Sequence, residues 1–398
     1  MKIYDVVIVG AGPAGGQCAR ELATKGKKVL LIEKSKDFFV NNYSSGGAPA
    51  ELMKDYSLPI DVVGSPWNKI ALHTSTKSHE WQDLNYKGIV LDFMKLRKFL
   101  SDQVIQHGSD VILNKSYHHH ENKEGTTTVY LRDMQSNEIV PVDTKVLVDA
   151  TGAERKVLQQ GKLNKNRLMA ATGIEYLIEV SPELYQRYSK TLSFYLGLKW
   201  MPQGYSWIFP MEDNRLKMGV VRYFAHEMVV PHELSYRHYL DLIIKHCLNN
   251  QQPKILDTHG KTMYYSLKQK DPNYENNLIA IGDSVSTLNP MASEGIRHAM
   301  YSGKVSAKHI IQYLNGDNNS FSQYAKEMRK YFGFRWITSE IIMNCLYREA
   351  NDAHLDIYAE SFKKLSFNEM LEFTFDYKFK TILKFFWNYL TLRFGKKR

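Results

Sequence analysis

Cysteine is scarce in this 398-residue sequence: Cys18, Cys247 and Cys345 lie far apart and form no CxxC pair. That excludes a disulfide framework and a cysteine-ligated zinc site, and makes a reducing compartment the natural setting. No stretch of about 18 apolar residues runs free of charge, so no segment is expected to span a bilayer. The start, Met1-Lys2-Ile3-Tyr4-Asp5, leads into a strand pattern and a glycine turn rather than a secretory leader. Internal repeats and low-complexity linkers are missing. The basic residues are dispersed and form no nucleic-acid motif, so nucleic acid is not an expected partner. The expected location is cytoplasmic, with the surface of a membrane left open as a place of contact.

What the sequence has is ordinary bulk and two unusual biases. Hydrophobic residues make up 43% and charged residues 24%, as in a folded soluble protein. The formal charge of +10 favours anionic partners, among them phosphate-bearing cofactors and acidic membrane faces. Aromatic residues reach 12%, enough to line either a core or a pocket for a large apolar ligand.

Two textures alternate along the chain. Tyr4–Val9 is a short β-branched run that suits a strand buried on both faces of a parallel sheet. A helix to about Lys25, a buried strand at Lys28–Ile32 and helical spacing over 91–107 follow. Strand-like pieces at Thr126–Arg132, Glu138–Val140 and Lys145–Val148 come next. From Leu168 to Met263 the segments are longer, alternating and aromatic, the pattern of an antiparallel sheet. Asn277–Ile281 returns to the first style, a helix follows from about Ser293, and the chain after Gly316 reads as helical. The expected fold class is therefore α/β: a discontinuous Rossmann-like nucleotide domain (1–167 and 271–315), an inserted antiparallel-sheet substrate domain (168–270) and a helical C-terminal segment (316–398).

Gly10-Ala11-Gly12-Pro13-Ala14-Gly15 places GxGxxG after the first strand and at a helix start. Gly10 makes the tight turn, Gly12 lets backbone approach a pyrophosphate, and Gly15 lets the helix close on the sheet. The helix N-terminus offers free N–H groups and partial positive charge to the phosphates. Glu33, followed by Lys34, ends the second strand, where a carboxylate accepts bonds from ribose hydroxyls. No second fingerprint occurs, so any nicotinamide donor must act without its own Rossmann domain.

Downstream, a buried strand ends in Gly282-Asp283 and is followed by Asn289-Pro290 and Glu294-Gly295-Ile296-Arg297. This Gly-Asp motif resembles flavoproteins of the p-hydroxybenzoate hydroxylase fold class. The longer string, from Asn289 through Ala299-Met300 to Ser302-Gly303, resembles the geranylgeranyl reductase family. Asp149-Ala150-Thr151-Gly152, with Arg155 beyond, fits the family's Asp-x-x-Gly…Arg motif, although Thr151 stands where a second aspartate is usual. Tyr205-Ser206-Trp207-Ile208-Phe209-Pro210 fits its Trp-x-Phe-Pro stretch. The resemblance implies FAD as cofactor, with NAD(P)H or another donor supplying electrons. It implies Asp283 at the ribityl chain, a helix N-terminus near the flavin ring and Arg97 reaching the FAD. The expected reaction is reduction of carbon–carbon double bonds in an isoprenoid chain; a monooxygenase or halogenase, or a flavin-assisted carotenoid cyclase, are the alternatives. The segment from Asn42 to Pro49 lacks the cysteine that some archaeal members carry there.

The remaining candidates each have two readings. Gly46 and Gly47 either edge the flavin or form a surface turn. Tyr205, Trp207 and Phe209 either wall an apolar channel or fill the sheet core. Glu294 and Arg297 pair across one helix turn, serve the site, or both. His118-His119-His120 reads as a solvated hairpin tip, because adjacent strand residues face opposite ways and chelate poorly; no metal site is expected. Between Asp376 and Arg398, aromatics mix with cations, as in a helix lying in a membrane interface or in a closing helix with a wet basic face. No residue is identified as the proton donor.

Overall fold

The structure, a computed structural model, describes residues 3–40, 44–162, 168–225, 234–348 and 351–395. Two compact units emerge, each assembled from three separated stretches. One comprises Met1–Asn42, Phe93–Met169 and Tyr264–Ile337; the other comprises Tyr43–Asp92, Ala170–Met263 and Thr338–Arg398.

The first unit is built on a sheet ordered Tyr274–Glu275, Leu278–Ala280, Ile139–Asp149, Ile3–Val9, Val29–Ile32 and Asp110–Ile112. Val6, Val7 and Ile8 are fully buried at its centre, as their unbroken apolar run requires. Register decides where the strands stop. Val9 lies level with Ile32 on one side and Asp149 on the other, and Asp149 lies level with Ala280. Four parallel strands therefore end together, and the turns that leave them share one edge.

Two expectations are corrected here. Ile139–Asp149 is one strand of 11 residues, not two pieces. Its first half pairs antiparallel with Thr126–Asp133 and its second half parallel with Ile3–Val9, so the burial pattern switches midway and hides the continuity. The histidine run lies within the strand Lys115–Lys123 rather than at the hairpin tip, which falls at Glu124-Gly125. Register jumps between Tyr130, opposite His119, and Leu131, opposite Tyr117, so His118 is the extra residue of a bulge. Alternation fails there, and the Nδ1 atoms of His118 and His119 approach to 2.6 Å.

The helix Pro13–Thr24 crosses Ile296–Leu314 with almost no room between backbones. A β-carbon on Gly303 would stand 2.4 Å from the Ala14 carbonyl oxygen and 3.1 Å from the Cys18 nitrogen. Ser306 Oγ donates to Cys18 Sγ at this crossing, and burial pushes the Cys18 thiol up to about 12, which leaves it inert. The later helix starts at Ile296 rather than Ser293. Asn289 Oδ1 accepts from the Met291 and Ala292 N–H groups, both at 2.9 Å, and that side-chain turn holds the preceding residues out of the helix.

In the second unit, a sheet runs Lys254–Ser266, Leu168–Glu179, Arg215–Ala225, Gly204–Met211, Thr191–Leu196, Lys69–His73 and Ser78–Gln82. Every residue of Gly204–Met211 is buried, so this strand is covered on both faces. Ile208, Leu216, Met218, Val220, Tyr176 and Ile178 form one face, closed by Leu240, Ile243 and Ile244 of the helix Tyr236–Cys247. The strands Gly47–Pro49, Gly88–Leu91 and Val63–Trp67 make a small separate sheet. The C-terminal helices Asp352–Lys363 and Phe379–Phe394 pack through Phe362, Phe373 and Phe385. Among the described residues no helix is long and apolar enough to cross a membrane.

The helix crossing sets a test. Gly303→Ala should lower unfolding free energy by about 1–3 kcal/mol in urea titration, because backbone cannot yield as a side chain does. Gly333→Ala, in the helix Ser320–Met343 where a β-carbon meets nothing within 4 Å, should leave stability unchanged or raise it by up to about 1 kcal/mol.

Candidate functional site

The aligned strand ends of the first unit gather most of the candidate residues. Gly10 turns with φ +109°, and a β-carbon there would sit 2.4 Å from the Ala150 carbonyl oxygen. A β-carbon on Gly15 would meet the Gly10 carbonyl oxygen at 1.9 Å. Both glycines are compressed between backbones. Gly12 is the opposite case, with nothing within 4 Å of its β position. With Pro13 at the first helical position and Ala14 after it, the open ground at Gly12 adjoins the helix N-terminus, and that arrangement fits a dinucleotide pyrophosphate.

Glu33 is buried; its Oε2 accepts from the Ala11 N–H at 3.1 Å and its Oε1 from the Ser35 N–H at 3.0 Å. A carboxylate has about four acceptor positions, so it can steady the glycine loop and still receive ribose hydroxyls. Lys34 pairs with Glu154, which also meets Lys156 at 2.9 Å. Burial would raise the Glu154 carboxyl, but the two lysines hold it below its ordinary value. Arg97 is buried, donates from Nη2 to the Phe38 and Val40 carbonyls at 3.0 and 3.1 Å, and stacks over Phe38 and Phe93. It braces the chain that comes after Glu33.

Asp149 is fully buried. Its Oδ1 accepts from the Thr151 N–H, the Thr151 hydroxyl and the Ser284 hydroxyl, and its Oδ2 from the Val157 and Leu158 N–H groups. Thr151 therefore keeps a polar role in the place of the usual aspartate. Gly152 takes φ +64° in the same loop. Gly282 turns with φ +64° and gives its N–H to Ser302 Oγ at 2.9 Å. Asp283, half-buried, accepts from the Thr287 hydroxyl at 3.2 Å, and the β position of Gly295 lies 4.0 Å from its Oδ2. Pro290 is buried just before the turn, and Ile296 opens the helix behind Gly295.

Two charged clusters lie near these loops, and the second contains the Glu294–Arg297 pair expected from the spacing. The buried Arg155 contacts Asp271 Oδ1 at 2.5 Å, the Ser286 hydroxyl at 2.7 Å and the Tyr264 carbonyl at 3.1 Å. Arg297 grips Glu294 through two parallel bonds of 2.8 and 2.9 Å, and His298 Nε2 lies 3.3 Å from the same carboxylate. Glu294 precedes the helix rather than lying within its first turn. Burial alone would raise its carboxyl, but Arg297 and His298 hold it at about 2.

In the second unit, Gly46 turns with φ +74° against Leu91, whose N–H donates to the Gly46 carbonyl at 2.9 Å. Gly47 begins the next strand, and its β position is 3.0 Å from the Phe209 ring. Tyr205, Trp207 and Phe209 alternate along one strand and share the face opposite the helix-covered core. Phe194 stands beside Tyr205 and Phe209, with ring centroids 6.0 and 5.4 Å away. Lys217, on the neighbouring strand opposite Phe209, is buried and donates to the Ser44 and Leu91 carbonyls at 2.6 and 3.2 Å. Burial pulls its pKa below the usual lysine value despite Glu175 and Asp92.

A polar row crosses this aromatic face. The Trp207 indole lies over Gly219, whose β position would be 2.1 Å from the ring, and its Nε1 donates to Glu175 Oε2 at 2.9 Å. Glu175 Oε1 meets His259 Nε2 at 3.1 Å, and His259 Nδ1 lies 3.4 Å from the exposed Asp257. A row of polar groups thus leads from the exposed Asp257 to a buried carboxylate beside Trp207.

Known proteins share this fold. The model of the family described as Lycopene cyclase protein matches residues 5–340. The chain belongs to this family. It is 29% identical over 322 residues to digeranylgeranylglycerophospholipid reductase of Haloferax volcanii, covering 76% of this chain and 75% of that protein. It is 25% identical over 394 residues to the enzyme of the same name from Methanosarcina acetivorans, covering 92% and 90%. A geranylgeranyl bacteriochlorophyll reductase-like protein of Thermoplasma acidophilum superposes with TM-score 0.83 at 21% identity, over 100% and 98% of the two chains. A halogenase in complex with FAD superposes with TM-score 0.67 at 14% identity, over 98% and 84%.

In this family member, Gly10, Gly12, Gly15, Glu33, Asp149, Gly152, Gly282, Asp283, Gly295 and Ile296 come to the edge shared by the parallel strands. Gly46 and Gly47 belong to the second unit, as do the three aromatics, and Gly47 meets Phe209 there. Lys217, Glu175 and His259 were missed, because only cross-strand register brings them to this face.

The cradle at Gly12 separates folding from binding. Gly12→Ala should leave apo-protein stability within about 0.5 kcal/mol, since its β position is open, yet weaken FAD at least ~10-fold in flavin titration. Gly10→Ala should instead destabilise the fold itself. Arg297→Met should cost about 3 kcal/mol at neutral pH by removing the two-bond partner of the buried Glu294. Because the folded pKa of Glu294 is depressed, the stabilisation is complete above its ordinary value of 4.5 and is lost as pH falls toward about 2. The variant and wild-type stability curves should converge over that interval.

Proposed function

We propose that this protein is an FAD-dependent oxidoreductase that reduces carbon–carbon double bonds of a geranylgeranyl or related isoprenoid lipid. The observation that carries the reading is the near full-length alignment with reductases named for such lipids, which takes in both units. The first unit supplies the dinucleotide cradle, and the buried aromatic face of the second has the chemistry to receive an apolar chain. When bound, the flavin supplies hydride; NAD(P)H or another donor would replenish it.

An isolated alkene accepts hydride poorly unless the other carbon receives a proton. Glu175 is our candidate for delivering that proton, with His259 relaying its replacement from solvent. It lies on the same face as Tyr205, Trp207 and Phe209, and it faces a row of groups that reaches solvent. Lys217 would hold the Gly46–Gly47 turn, and Asp149 and Arg155 would keep the glycine-bearing loops in place.

A second reading, a flavin-assisted cyclase of a linear carotenoid, is favoured by the family's own description. An acid beside an aromatic wall would serve that reaction equally well. The fold alone accommodates halogenases and monooxygenases too.

Anaerobic stopped-flow spectroscopy tests the reductase reading. Chemically reduced enzyme mixed with a geranylgeranyl lipid should reoxidise one flavin per double bond saturated. Persistence of reduced flavin with every prenyl lipid, and reoxidation only when oxygen enters, would move the assignment to a monooxygenase. Glu175→Gln should slow anaerobic reoxidation by ~10²–10³-fold while FAD content stays at the wild-type level. An unchanged rate would remove Glu175 from the mechanism.

A further inference from the structure

The helix Phe379–Phe394 has two apolar faces. Ile382, Phe385 and Tyr389 point inward and are buried against the helix Asp352–Lys363 and the Glu372–Asp376 turn. That face closes the unit. The opposite face carries Leu383, Trp387, Leu390 and Phe394, which are 52%, 70%, 47% and 62% exposed. At 3.6 residues per turn these four fall within a wedge of about 60°. Single exposed apolar residues need no explanation, but a continuous stripe with a tryptophan at its middle does.

We propose that this outward face docks on an anionic lipid bilayer, with the helix lying flat in the interface. Charge selects the occupant. From Tyr377 to Arg398 the sequence holds Lys378, Lys380, Lys384, Arg393, Lys396, Lys397 and Arg398 and no Asp or Glu. Lys380 and Lys384 lie along one side of the stripe and Arg393 along the other, as the helical spacing dictates. Lys384 reaches Glu369 at 2.6 Å and Lys378 reaches Glu372 at 2.8 Å, both at the inner side, so part of the charge is answered within the unit. Lys396, Lys397 and Arg398 lie outside the described residues and add their charge through the sequence alone.

A second copy of the chain is a poorer occupant. A symmetric contact along the stripe would set Lys380, Lys384 and Arg393 of one copy against the same cations of the other, with no acid on either helix to answer them. A bilayer of acidic lipids offers both things the face lacks: an apolar layer for the four side chains and negative headgroups for the flanking cations. Lysine and arginine stems are long enough to reach headgroups while the aromatic rings sit deeper. The inference deepens the isoprenoid reading, since such substrates reside in membranes, but its test needs no turnover.

The full-length, FAD-loaded protein is sedimented with vesicles of phosphatidylcholine alone or with about a third phosphatidylglycerol. Wild type should bind the anionic vesicles at least ~10-fold more tightly than the neutral ones, and high salt should weaken that binding. Leu383→Ser combined with Trp387→Ser should reduce binding at least ~10-fold with an unchanged melting temperature, because both side chains are already in solvent. Equal binding by variant and wild type would overturn the proposal, as would no binding by wild type. Concentration-dependent dimers in light scattering, lost in the variant and accompanied by no vesicle binding, would assign the face to a second copy instead. Vesicle binding without anaerobic turnover would leave this surface standing and remove only the reductase reading.

Discussion

Backbone-to-backbone approach around the first helix is the constraint on which the rest depends. Gly10 touches the Ala150 carbonyl, Gly15 touches the Gly10 carbonyl and Gly303 touches the Ala14 carbonyl, each closer than any β-carbon allows. These contacts fix the helix N-terminus against four strand ends brought level by sheet register. Gly12, at the open side of the same turn, is where that compression stops and room for a ligand begins. A single geometric decision thus closes the fold on one side and leaves open ground beside a helix N-terminus on the other.

The loops leaving those strands are held by buried charge rather than by apolar packing. Arg155 with Asp271, and Arg297 with Glu294, sit where well-packed hydrophobic pairs would give at least equal stability. What such groups add is direction: directed hydrogen bonds fix a loop in one arrangement where aliphatic contacts tolerate several. In the second unit Lys217 does the same for the Gly46 turn through two carbonyls. Trp207 is likewise fixed in orientation, because its indole crosses Gly219 to reach Glu175. An apolar wall with one directed polar row can hold a hydrocarbon in register while delivering a proton at one point along it.

What was legible in the sequence was whatever is local. The glycine turn, the strand before it, Glu33 and the Gly282-Asp283 turn are each written in a few consecutive residues: the turns need a backbone that glycine favours, the strand an unbroken β-branched run, and Glu33 its place at the next strand's end. The strand Ile139–Asp149 was harder, since its two halves have different neighbours and different burial. His118 escaped because a bulge is a property of two strands together. Glu175, His259 and Lys217 come from three strands and meet only through sheet order, which no local pattern encodes. The strands Lys69–His73 and Ser78–Gln82 extend the same sheet from a distant part of the chain for the same reason. In the tail, the mixture of aromatic and basic residues was plain, but which face the unit covers depends on how Phe362 and Phe373 of the preceding elements pack against it.

Reduction and cyclisation of an isoprenoid ask for similar walls and a similar acid, and differ in whether hydride leaves the flavin for good. Isotope accounting separates them most directly. The reduced enzyme is turned over anaerobically in deuterated water, where the transferable flavin hydrogen exchanges with solvent, and the lipid product is weighed. The account predicts two deuterium atoms gained for every double bond lost. A product with its degree of unsaturation unchanged and no more than one deuterium per ring formed would contradict it and identify a cyclase.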